Sequence, residues 1–386
     1  MPPVPPFRRA LGATSLLTAL GLAAAAPLIA SGAPAAASEK GEVTIVASGL
    51  NAPRGIAFSP NGALYVAEAG TGGSHTTTAQ QCEQVPPPVG PYSGGFTSDI
   101  ARISENGHRN VIAGHLPSDQ TSPDTGGLVS GVADLTFFDG KLYGIDAGAG
   151  CSHGHLHRPN TLFRVDRDGS LTTIANLSRF LKTHPTANEN PADFEPDGTW
   201  YSVITVGDAF YAVEPNHGEI DSITPSGIIS RFVDVSAEAA TLCPGAHACG
   251  DPPGHVVPTA LAYHDGSFYL VNLDVFDPGF QNHSHVYKIG KDGTMRIFAG
   301  GLNAALGIAF DRKGRLYVLE SFTGSFAPVP NSGMVVRWNG TGWTTVVSGL
   351  NFPTAMTLGP DGDLYISNCG YACPPGAGQV LQVDID

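Results

Sequence analysis

The 386 residues carry 34 Asp and Glu against 20 Lys and Arg, a formal net charge of −14. An acidic surface of this kind argues against nucleic acid or an anionic membrane as partner. Abundant glycine (49) and proline (31), with only 14% charged residues, suit many short strands joined by turns and not a helical protein.

In chain order, Arg8-Arg9 is followed by an Ala/Leu-rich apolar run over 11–30 and then by APAAAS. This is the pattern of a secretory signal peptide, with cleavage expected after Ala37. A retained anchor is the alternative, disfavoured because Gly12, Gly21 and Pro27 interrupt the run. The reading predicts a secreted or otherwise extracytoplasmic protein, residues 38–386, expected to be monomeric and free of the membrane once cleaved. Six cysteines in an exported chain then predict three disulfides. Cys243 and Cys249 are close neighbours, as are Cys369 and Cys373, which leaves Cys82 for Cys151. No CxxC spacing supports a zinc ribbon.

Residues 49–70, GLNAPRGIAFSPNGALYVAEAG, read as two strands around an Asn61-Gly62 turn, a strong hairpin signal because both residues tolerate positive φ. The phrase returns five times, its aromatic falling at Tyr65, Tyr143, Tyr211, Tyr269, Tyr317 and Tyr365. Second hairpins turn at Asn106-Gly107, Asp168-Gly169, Ser226-Gly227, Asp292-Gly293 and Asn339-Gly340. Each unit therefore reads as strand A, turn, strand B, loop, strand C, turn, strand D. A four-stranded unit whose shortest repeat is 48 residues, between Tyr269 and Tyr317, predicts an all-β fold, a six-bladed β-propeller. Stacked β-sandwiches are the weaker alternative.

The sixth unit stops at its third strand, QVLQVDID, while EVTIVASG near the N-terminus matches the fourth strand of the fifth unit, GWTTVVSG. The last blade is therefore expected to be closed by the N-terminal strand, residues 43–47 pairing with 380–384, which leaves no open edge. The long segments, 69–98, 147–159, 273–283 and 321–332 (B–C) and 175–199 and 236–257 (D–A), all fall on one face. Loops carried on one face of a rigid scaffold are where recognition is expected.

The run TIVASGLNAPRGIAFSPNGALYVAEAGTGG, the Cys82 loop, SDIARISENG and VIAGHLPS, with VADLTFFDGKLYGIDAG and GLNAALGIAFDRKGRLYVLES later, resembles the ScyD/ScyE family of exported bacterial proteins over residues 38–386. The resemblance implies an exported propeller with no established reaction, so it transfers no catalytic residues. The repeat unit is also similar to NHL repeats and to gluconolactonase-like six-bladed propellers.

Three groups of residues could carry chemistry. Strand B ends on an oxygen donor in every unit: Glu68, Asp146, Glu214, Asn272, Glu320 and Asn368. Such a ring suits a hard cation, and Ca²⁺ is the candidate cofactor. The competing and preferred reading has each oxygen capping backbone N–H groups of an adjacent loop or blade. On the channel wall, small residues recur at Gly55, Ser202, Ala260, Gly307 and Ala355, and Asp134 breaks the pattern. Arg54 is expected to pair with Asp134 across the channel mouth, as an inter-blade lock or on a bound ligand. Arg54 also stands where gluconolactonase-like enzymes place a metal-binding glutamate. His153, His155 and His157 would share one side if extended and could bind Zn²⁺ or Cu²⁺, with an exposed polar run as the preferred reading. His75, His247, His255, His283 and His285 fall in loops of the same face.

No nucleophile elbow, P-loop or HExxH appears. Two function classes follow: a propeller that binds a small molecule, glycan or protein through its loop-bearing face, and a metal-dependent hydrolase or lactonase with its site at the channel mouth. The missing first-blade glutamate favours the former.

Overall fold

The computed structural model describes residues 41–189, 191, 194–242, 256–273, 283–323 and 328–385. The expected signal peptide and the Cys243, Cys249 pair lie outside them. Six antiparallel sheets form the blades of a β-propeller. Blade 1 is Pro53–Phe58, Leu64–Glu68, Ser93–Ile103 and Arg109–Gln120, extended by Val129–Ser130. Blade 2 is Val132–Phe138, Lys141–Asp146, Thr161–Val165 and Leu171–Asn176. Blade 3 is Ser202–Val206, Ala209–Glu214, Glu219–Ile223 and Ile229–Asp234. Blade 4 is Val257–His264, Ser267–Leu273, Ser284–Ile289 and Met295–Leu302. Blade 5 is Ala305–Phe310, Leu316–Glu320, Gly333–Trp338 and Trp343–Leu350.

Blade 6 takes Ala355–Leu358, Leu364–Asn368 and Gly378–Val383 from the C-terminal end and Val43–Leu50 from the other. Val43 pairs with Val383, Ile45 with Leu381 and Ala47 with Val380, as the repeat predicts. A bulge between Ile45 and Ala47 re-aims the strand so that Ala47 and Leu50 bury against Ile56, Val66 and Tyr365.

The turn chemistry explains the hairpins. Gly62 sits at φ +83°, and its N–H bonds the Ser59 carbonyl while Ser59 N–H bonds the Ala63 carbonyl. Alternate residues of each strand bury against the neighbouring blades, so the core is a set of six interfaces. Hydroxyls stitch the blades along their inner edge. Thr259 Oγ1 donates to the Ala305 carbonyl (2.7 Å), Ser321 Oγ to Pro353 (2.7 Å) and Thr354 Oγ1 to Pro53 (2.7 Å), while Ser98 Oγ accepts from Val132 N–H (3.0 Å).

Among the described residues every long connection is B–C or D–A, so the loops share one face. Two D–A connections contain short helices, α1 (Leu177–Thr183) and α2 (Val235–Leu242). Asn176 caps α1 by accepting from Arg179 N–H (2.9 Å), and Leu177 and Leu181 bury against Trp200. No helix among the described residues is long and apolar enough to cross a membrane.

Candidate functional site

The residues that end strand B each bond the scaffold through a side-chain oxygen, although Asp146 Oδ1 stays buried without a hydrogen-bond partner among the described residues. Glu68 accepts from Asn51 N–H (2.8 Å) and pairs with Arg109. Glu214 accepts from Thr199 N–H (3.0 Å) and His217 N–H (2.6 Å), and Glu320 from Asn303 N–H (2.5 Å). Asn272 accepts from His285 N–H (2.7 Å), Asn368 from Asn351 N–H (2.8 Å), and Asp146 from the Thr161 hydroxyl (2.9 Å). Each holds the chain of its own blade or the connection next to it. Among the described residues no group of three or more His, Cys, Asp and Glu converges at metal-binding distance.

The channel between the six A strands has a volume of about 480 Å³ and is lined mainly by small and apolar residues. Arg54 and Asp134 both reach it but do not form the expected ion pair. Asp134 accepts from Leu135 N–H (2.8 Å) and, in the next blade, from Val203 N–H (2.8 Å). Its side chain lies over Gly55, where a Cβ would overlap it, so the small residue and the carboxylate are one packing solution across three blades. Burial pushes the Asp134 carboxyl up to about 7 against these hydrogen bonds. Arg54 instead donates to the Val129 carbonyl (2.5 Å), in the extension of blade 1. At the loop-face end of the channel, Tyr201 donates to the Thr354 carbonyl (2.9 Å), and the Tyr371 hydroxyl lies 3.0 Å from Ser321 Oγ. A guanidinium and two phenols do not fit the divalent cation of the hydrolase reading.

The three histidines are neither extended nor, in the main, exposed. Gly150 and Gly154 adopt positive φ and wind Cys151–His153 into a 3-10 turn, which sends the rings in different directions. His157 is exposed, whereas His155 is buried, its Nε2 3.0 Å from the Ser118 carbonyl. His153 is fully buried between two carboxylates: Nδ1 bonds Asp119, and Nε2 lies 3.3 Å from Glu195 Oε2. Tyr92 donates to the other Glu195 oxygen (2.5 Å). Although desolvation opposes it, Asp119 and then Glu195 raise the His153 pKa to about 10, so the ring is an imidazolium at neutral pH. Asp119 reaches this depth because its strand runs for 12 residues, beyond the ring of blades. The cluster has no solvent-facing atom to react and ties blade 1, the blade 2 loop and the connection after α1 together. The disulfide of Cys82 with Cys151 fastens the same loops, and the pairing of Cys369 with Cys373 is also present.

Sequence reading missed Tyr92, Asp119, Glu195 and Asp197, which come from three separate stretches of the chain. It also missed that His217 pairs with Glu214 (Nδ1 to Oε2, 3.2 Å), each stabilising the charge of the other against burial.

Two concavities open on the loop face beside α1. One, of about 300 Å³, is lined by Cys82, Glu83, Lys182, Glu189, Phe194 and His217 among others. The other, of about 350 Å³, lies between the 157–159 turn and α1. Lys182 borders both. Their walls are the segments that the disulfide and the His153 cluster immobilise.

No family model matches the sequence, and no curated protein matches it. Solved structures do. A gluconolactonase from Xanthomonas campestris aligns with a TM-score of 0.52 at 12% identity, covering 90% of this chain and 92% of its own. A Bacteroides thetaiotaomicron protein of unknown function aligns with a TM-score of 0.51 at 14% identity, covering 90% and 73%. A putative glucose dehydrogenase-type oxidoreductase from Thermus thermophilus aligns with a TM-score of 0.50 at 17% identity, covering 89% and 99%. The shared feature is the fold. At these identities it carries no activity with it.

Proposed function

We propose that this chain is an exported binding propeller of the ScyD/ScyE type, which takes a small molecule or glycan on its loop face beside α1. One observation carries the reading. The concavities at α1 are walled by segments that a disulfide, an inter-blade carboxylate–imidazolium–carboxylate cluster and a capped helix all hold in place. Such pre-organisation lowers the entropy lost on binding. Volumes of about 300 and 350 Å³ suit a small ligand better than the broad, flat contact of a protein partner. The hydrolase alternative gains no support, since the groups at the channel mouth do not suit a metal.

The test is a saccharide array probed with residues 38–386, followed by hydrogen exchange on any complex found. Protection of segments 151–160 and 176–189 is expected. Protection confined to the channel wall at Asp134 and Tyr201, or turnover of a lactone with added divalent metal, would reverse the assignment.

A further inference from the structure

We propose that the concavity between the 157–159 turn and α1 is an anion site for a small ligand bearing carboxylate or sulfate groups, of which an acidic saccharide is the natural class. This rests on the loop-face reading and adds the ligand's charge. The chain is strongly acidic, and four of its arginines, Arg109, Arg164, Arg231 and Arg315, are held by carboxylates. Arg158 and Arg179 line this concavity, are exposed, and pair with no carboxylate among the described residues. Lys182 and His157 complete the basic lining.

The one carboxylate in the wall does not neutralise them. Asp197 is 4% exposed and already accepts from Lys182 Nζ (2.5 Å), Ser152 N–H (2.8 Å) and Ser152 Oγ (2.8 Å). Its charge is consumed inside the wall, while the two arginines border the concavity and are exposed.

Both arginines are also held in place. Gly150 N–H bonds the Arg158 carbonyl (2.7 Å), and the Arg158 guanidinium sits 5.1 Å from the centre of the Phe96 ring. The Asn176 cap fixes the backbone of Arg179. Guanidinium groups bind carboxylate and sulfate through paired hydrogen bonds, and two of them across one concavity recognise an anion that the rest of this surface repels. Pro159 and the arginine stems offer the apolar face that a sugar ring needs.

The experiment titrates residues 38–386 calorimetrically with D-glucuronate, glucose 6-sulfate and glucose, at one low ionic strength. The two anions are expected to bind and glucose is not. Arg158→Ala with Arg179→Ala should weaken anion binding at least tenfold. Arg296→Ala, which removes one exposed charge on blade 4, should leave it unchanged. All these residues are exposed, so unchanged melting midpoints are expected to show that the variants fold. Equal affinity for glucose and glucuronate, with exchange protection at 151–160 and 176–183, would remove the charge preference and keep the loop-face reading. Anion binding protected elsewhere would remove both. Equal weakening by Arg296→Ala, or no binding of any probe to the unaltered chain, would also overturn the anion site.

Discussion

Glu320 accepts one backbone N–H and is otherwise cut off from water, and burial lifts its carboxyl to about 7. A carboxyl raised on folding binds its proton more tightly in the native state. The resulting stability is complete below the ordinary carboxylate range and is lost as pH rises through about 7. Glu320→Gln keeps an oxygen for Asn303 and removes the titration. We expect the variant to match the parent near pH 4 and to exceed it at pH 8 by up to about 3 kcal/mol in urea unfolding. An equal difference at both pH values would refute this account. His153 is the opposite case, because its charge is needed. His153→Ala leaves Asp119 and Glu195 buried without their shared counter-ion, with an expected loss of about 3–5 kcal/mol; a loss under about 1 kcal/mol would mean that the carboxylates are neutral. The strand-B oxygens were legible as a recurrent position, and capping was the preferred reading of them. The role of His153 was not, since alternation assumes an extended chain and Gly150 and Gly154 wind this one. Nothing local marks Asp119 or Glu195 as its partners.

At the scale of elements, the N-terminal strand closes blade 6. A chain starting at Gly49 loses residues 43–48 of that strand, Ala47 among its buried side chains, and exposes the edge of Gly378–Val383. Its melting midpoint should fall and its tendency to associate rise, as unpaired edges do; an unchanged midpoint in a monodisperse sample would contradict the pairing. The two disulfides should differ too. Cys82 and Cys151 are 69 residues apart and Cys369 and Cys373 only 4, so on chain-entropy grounds replacing the first pair by alanine should be the more damaging. Strands, turns and blade order were readable because Asn-Gly and Asp-Gly turns recur between apolar runs. The helices were not, because α1 and α2 lie in connections without repeat periodicity. The capping Asn176 is the local signal that marks α1.

For the whole molecule, the buried acids act together. Asp134, Asp146, Glu219 and Glu320 are each raised to about 7, chiefly by burial. His153 loses its proton only near 10. Every one of these favours the native state at lower pH; the depressed Glu214 and Asp197 act only below the ordinary carboxylate range, and His155 and His285, lowered by burial, offset the buried acids only in part. The melting midpoint should therefore be higher at pH 5 than at pH 8, and a flat or reversed profile would count against the buried acids. Calcium and chelator should give coincident midpoints at equal ionic strength, because each strand-end residue already bonds the scaffold and, among the described residues, no three His, Cys, Asp or Glu converge on a metal position. A rise in calcium alone would revive the ring as a ligand set. The shared last blade also bears on synthesis. Val43 finds its partner at Val383, so at roughly 5–20 residues per second the first strand made waits some tens of seconds, on the order of a minute at the slow end, for the last. Until then the ring is open, and Ala47 and Leu50 lack Tyr365 and Val380, the late-made part of the cluster in which they bury. The nascent chain needs shielding for longest at the end that emerged first.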